Sequence, residues 1–153
     1  MTKRKRPSRS PAVVEPAREE THGVVSRASE LPEATRERLA ELSRLEPDWD
    51  SYGALRVAPQ AIAAAGAIVG QVIDRAGAQG APRDIMPLAD GGVALEWRRH
   101  GLELGLNACP EGGWSALLVE RNESGRRATE RYDLADAEAL ALIFKVIGAD
   151  DAR

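Results

Sequence analysis

The chain has 153 residues, one cysteine and a formal net charge of −3, with 43% hydrophobic and 29% charged residues. This length suits one domain with a tail, large enough to bury a core without a metal or a disulfide. Cys109 has no second cysteine to pair with, and the sequence shows no secretory signal, so the expected compartment is the cytoplasm. The longest apolar run, residues 61–69, falls well short of the ~20 residues that a membrane span needs.

Charge is unevenly placed. Residues 1–28 carry seven basic and three acidic side chains, a net +4, which leaves −7 on the rest. The head of this segment (Lys3, Arg4, Lys5, Arg6, Arg9) has no hydrophobic periodicity, and the segment reads as a disordered basic tail. Such a cluster suits weak, salt-dependent, sequence-indifferent contact with nucleic acid, or a solvated terminus. No aromatic residue is interleaved to stack on bases. The expected organisation is a tail at 1–28, one domain at 29–149 and a short tail at 150–153.

A first helix is predicted over about 32–46, preceded by Ser29 or Glu30 and stopped by Pro47, with Leu31, Leu39, Leu42 and Leu45 along one stripe. A loop of unusual content follows: Pro47, Asp48, Trp49, Asp50, Ser51, Tyr52, Gly53, Ala54. Loops that carry two large rings usually fold back on the body. The expectation is therefore that Trp49 and Tyr52 cap the core, Asp48 and Asp50 accept from nearby backbone amides, and Gly53 takes a positive φ. The alternative makes Asp48 and Asp50 a metal or general-base pair, but no histidine stands near them.

A second helix, 59–76, opens on proline and is poor in charge. Its apolar surface is wider than a single stripe, which requires burial on two sides or docking on another chain. Gly66 and Gly70 permit close approach of a neighbouring backbone, most simply the first helix.

Strands are predicted near 84–88, 93–99, 102–108, 114–121 and 126–132, joined by glycine-containing turns. The second and third are the most legible. Val93, Leu95 and Trp97 alternate with Ala94, Glu96 and Arg98; beyond His100-Gly101, Leu102, Leu104 and Leu106 alternate with Glu103, Gly105 and Asn107. The fourth strand is apolar on both faces and reads as central; the fifth is charged and reads as an edge. A last helix is expected from Asp133 as N-cap, with Asp136 in a capping box, to Gly148. The fold class is α+β in two layers, a meander of four to five strands packed against two N-terminal helices and one C-terminal helix.

Little in the sequence points to catalysis. His22 lies in the tail and His100 in a hairpin turn, Cys109 precedes a proline in a turn, and no phosphate-binding loop is present. No metal or cofactor is implied. Glu96 and Glu103 could face each other across the hairpin as an acid and base pair; the simpler expectation pairs such acids with Arg98 or Arg99.

Trp49-Asp50-Ser51-Tyr52-Gly53-Ala54, the proline-opened alanine-rich helix, and Asp90-Gly91-Gly92-Val93-Ala94-Leu95-Glu96-Trp97 together resemble a group of small bacterial proteins of unknown function. These join an N-W-D-x-Y-G-A loop to a later G-G-hydrophobic-x-L-E-W hairpin. The resemblance spans about residues 39–121, and Pro47-Asp48 stands where the pattern more often has Asn. It implies a shared fold and a shared importance of Trp49, Gly53, Glu96 and Trp97, with no activity attached.

The sequence therefore favours a non-catalytic, protein-binding accessory protein of a bacterial cytoplasm, antitoxin-like or part of a phage-defence operon. Its candidate contact residues are Asp48, Trp49, Asp50, Tyr52, Gly53, Glu96, Trp97, Arg98 and Glu103, and self-association is left open. One alternative is nucleic-acid association through the basic tail. A weaker one is a small hydrolase using Asp48, Asp50, Glu96 and Glu103.

Overall fold

A computed structural model describes residues 31–148. The elements run α1 (Glu33–Ser43), α2 (Pro59–Ala76), a 3-10 turn (Ala78–Gly80), β1 (Asp84–Pro87), β2 (Val93–Arg99), β3 (Leu102–Ala108), β4 (Trp114–Asn122), β5 (Gly125–Leu134) and α3 (Asp136–Ile147). The five strands form one antiparallel sheet in chain order, β1-β2-β3-β4-β5. The helices pack on one face of it, α2 and α3 over β2 and β3, with α1 against α2 and β1. This is the α+β meander that the sequence predicts.

Period-two alternation sets the register. Leu95 pairs with Leu106 and Trp97 with Leu104; Leu106 and Leu104 in turn face Ala116 and Leu118 of β4. All six are buried beneath the helices, and a slip of one residue would turn the whole set to solvent. His100 (φ 54°) and Gly101 (φ 80°) both take the left-handed backbone that a tight two-residue hairpin turn requires. The middle strand is β3, not β4. Since β4 lies one position from the edge, its second apolar face is only partly used, with Val119 covered and Leu117 partly exposed.

α2 has the expected bounds, whereas α1 and α3 differ from expectation at their ends. α1 stops at Ser43 because the bonds from the Arg44 amide to the Glu41 carbonyl and from Leu45 to Leu42 tighten the chain, and Pro47 disfavours helical backbone before it. Ser29 and Glu30 lie outside the described residues. The wide apolar surface of α2 is absorbed by α1, α3 and the sheet. A Cβ built on Gly66 would sit 3.5 Å from Leu39, so that position is indeed the close contact with α1.

Asp133 is not the cap of α3. It takes a positive φ of 56° near the end of β5, which runs on to Leu134, and the N-cap is Ala135. Glu138 Oε1 accepts from the Ala135 amide at 2.9 Å, while Asp136 accepts from Trp114 Nε1 at 2.7 Å. Each indole thus finds a partner: Trp97 Nε1 donates to the Gly80 carbonyl at 2.8 Å. Arg99 turns to the helical side and donates to the carbonyls of Ile147 (3.0 Å) and Gln79 (2.9 Å), placing a cation at the C-terminal end of α3, where the helix dipole favours it.

No helix among the described residues is long and apolar enough to cross a membrane.

Candidate functional site

The segment between α1 and α2 is the most constrained stretch outside the secondary structure. Asp48 (φ 67°), Ser51 (φ 66°) and Gly53 (φ 89°) all adopt left-handed backbone, which strains a non-glycine residue. A dense hydrogen-bond set holds them there. The Asp48 amide donates to the Ala54 carbonyl at 2.7 Å and that of Ser51 to the Asp48 carbonyl at 3.0 Å. Asp48 Oδ1 accepts from the Gly53 amide at 2.7 Å, and Asp50 Oδ1 from Tyr52 at 2.8 Å and Ala54 at 3.0 Å. Trp49 Nε1 donates to the Leu55 carbonyl at 3.2 Å. The two carboxylates hold the loop closed, as the simpler reading of this stretch predicts.

The loop is also bolted to the body. Ala54 and Val57 are buried, the Leu55 and Ala58 amides donate to the carbonyls of Ala89 (2.9 Å) and Gly91 (2.8 Å), and Arg56 pairs with Glu46 at 3.1 Å. Trp49 is half-buried. Tyr52 does not cap the core: it is 91% exposed, and Leu55 is 60% exposed. The positive φ at Ser51 and the Asp50 bonds to the flanking amides fix the backbone so that the ring stands away from the body. Substituting Asp50→Ala removes the acceptor of two backbone amides at once and is expected to cost about 2 kcal/mol. Asp50→Asn keeps the carbonyl acceptor and is expected to recover most of it in thermal denaturation.

The hairpin residues distribute differently from the expectation. Trp97 is buried on the helix side and presents nothing to solvent. Glu96 stands opposite Gly105 and Asp84, while Arg98 stands opposite Glu103, so the two glutamates are offset along the strands and form no acid and base pair. Glu103 Oε2 lies 3.3 Å from both Arg98 Nε and Arg121 Nη2, a second arginine that sequence reasoning missed because β4 brings it in from 18 residues away. On this open face of the sheet Met86, Leu117 and Tyr132 are exposed. The Tyr132 hydroxyl donates to Glu130 at 3.1 Å, and this bond, reinforced by the same carboxylate's charge, raises its pKa.

Cys109 follows β3 in a tight turn, its amide donating to the Gly113 carbonyl at 3.0 Å. Burial pushes the thiol pKa up, and the charges of Glu111, Asp90 and Asp133 push it further. The reactive thiolate is therefore scarce at neutral pH. Alkylation by iodoacetamide at pH 8 is expected to be several-fold slower than in the unfolded chain, with the gap persisting past the ordinary thiol pKa. The raised pKa also means that the unfolded chain loses this proton first, so the contribution of Cys109 to stability is present below the ordinary thiol value and declines as pH rises above it.

Among the described residues no three His, Cys, Asp or Glu side chains are grouped to hold a metal. Lys3, Arg4, Lys5, Arg6 and Arg9 lie outside the described residues. No protein-family model, curated protein or solved structure matches the chain.

Proposed function

We propose that this protein is a non-catalytic binding module whose recognition element is the loop at 48–55, with Tyr52 and Leu55 as the side chains that meet a partner protein. The observation that carries the reading is a tyrosine left 91% exposed by a backbone that two strained non-glycine residues and a closed hydrogen-bond set hold rigid. Strain held in place by its surroundings concentrates at functional positions. A rigid aromatic side chain offers large contact area at small entropic cost, and tyrosine is enriched among the residues that dominate binding energies.

On this reading the resemblance to the small bacterial family is one of scaffold, with the loop and the Gly-Gly hairpin joined by the Leu55 and Ala58 bonds to the turn at 89–91. The −7 charge borne by residues 29–153 favours a basic partner, as for an antitoxin-like or defence-associated accessory protein. Of the carboxylates that a hydrolase would use, Asp48 and Asp50 are occupied in closing the loop and Glu103 in pairing with arginine.

The test compares tagged full-length protein with Tyr52→Ala and Leu55→Ser, each recovered from the native host. One stoichiometric chain held by the parent and depleted at least tenfold in both variants, with unchanged melting temperature, is the expected result. Equal retention by both variants overturns the reading.

A further inference from the structure

The sheet ends at β5, and among the described residues no strand lies against its outer edge. The strand is ten residues long, and every one of them but Leu134 is exposed. A free edge of this length offers a row of amides and carbonyls without ladder partners, a template for an added strand.

On the helical side the same edge borders a groove of about 230 Å3. Its floor is apolar, formed by Ala116 and Leu118 of β4 and Leu142 of α3, and its polar groups are predominantly cationic: Arg127 and Arg131 from β5 and Lys145 from α3, against the single carboxylate of Glu120. Arg127, Thr129 and Arg131 are two apart along the strand and share this face. Arg131 reaches Glu138 at 3.6 Å, and Arg127 and Lys145 make no ion pair among the described residues. Two cations on the free edge strand and a third from α3, beside an apolar floor, form a surface complementary to an extended acidic chain.

We propose that the β5 edge and this groove take an extended acidic segment of a partner protein as a sixth strand, its alternate carboxylates meeting Arg127, Arg131 and Lys145. Main-chain bonds to the edge supply the attachment and the groove selects the charge. A second copy of the chain is a poor occupant: antiparallel pairing of two β5 strands about Thr129 sets Arg127 against Arg131 twice, and like charges directly opposite each other destabilise a sheet. Residues 1–28, at +4, have the wrong sign. This inference stands independently of the loop at 48–55, which lies between α1 and α2.

The experiment titrates full-length protein into a fluorescein-labelled, end-blocked peptide that alternates glutamate and valine, at low salt. Saturable anisotropy is expected, with amide shift changes confined to β5 and the groove, and the double variant Arg127→Glu with Lys145→Glu should weaken binding by at least about tenfold. Methylating the amide nitrogens of one alternate set of peptide residues should abolish binding, and methylating the other set should preserve it, because only one set faces the edge. The proposal is overturned if no saturable binding occurs, if both methylated peptides bind like the parent, if a lysine and valine peptide binds equally well, or if the double variant, folded by circular dichroism, binds unchanged. Tyr52→Ala should leave this peptide's affinity unaltered, which separates the edge from the loop.

Discussion

Trp97→Ala is expected to destabilise the protein by about 4 kcal/mol, a large share of the 5–15 kcal/mol that holds a typical domain folded. The indole is only 2% exposed and belongs to the layer shared by Leu95, Leu104 and Leu106, so its removal leaves a cavity that rigid strands on both sides cannot close. It also removes the bond to the Gly80 carbonyl. Gly80 is buried so closely against α2 that a Cβ there would meet Val72 at 2.7 Å, which leaves its carbonyl little access to water. Trp97→Phe keeps most of the ring's packing but orphans that carbonyl, and is expected to cost about 2 kcal/mol. Urea denaturation of the two variants separates the packing of the ring from its polar anchor. Equal losses would mean that the hydrogen bond, not the volume, dominates.

Gly92→Ala is the second large effect. Gly92 is not needed for a positive φ, which falls to Gly91 at 97°. It is needed for space, since a Cβ on Gly92 would lie 2.5 Å from the Ala108 carbonyl oxygen, a backbone atom that can move only by parting β2 from β3. The expected cost is about 3 kcal/mol. Because the Ala58 amide bonds to the neighbouring Gly91 carbonyl, amide exchange should quicken through the 54–58 segment as well. Gly105→Ala is the control: it lies in the same sheet with only the Leu117 carbonyl near, at 4.0 Å, and its effect should fall within about 0.5 kcal/mol.

The sequence makes the sheet legible where alternation is strict. The bounds of β2 and β3 follow directly from Val93, Leu95, Trp97 and Leu102, Leu104, Leu106, because a period of two with a glycine turn leaves one register that turns every leucine of the hairpin to the core side. It misleads where a residue type has two uses. Asp133 resembles a helix cap, yet Glu138 reaching back to Ala135 does part of that work and the strand takes Asp133 instead. The roles of the loop carboxylates are foreseeable because aspartate in a short turn readily accepts from backbone amides a few residues on. The outward Tyr52 is not, since the left-handed backbone at Asp48 and Ser51 that sets the path of the loop is not announced by those residue types. The groove is invisible in the sequence because Glu120, Arg131 and Lys145 converge from three elements, each reading as an ordinary solvated charge.

The chain-order arrangement of the strands bears on how the molecule reaches its native state. Every strand pairs with its immediate neighbour in sequence and no crossover connection intervenes, so the sheet can grow hairpin by hairpin with short loops to close at each step. The β2–β3 hairpin, with a two-residue turn and the most apolar pairs, is the natural nucleus, and substitutions at Leu95 and Leu106 should slow refolding while those at Leu134 mainly speed unfolding. The helices that cover this hairpin come from opposite sides of it in sequence, so α2 waits for a surface made after it, whereas α3 arrives when that surface is complete.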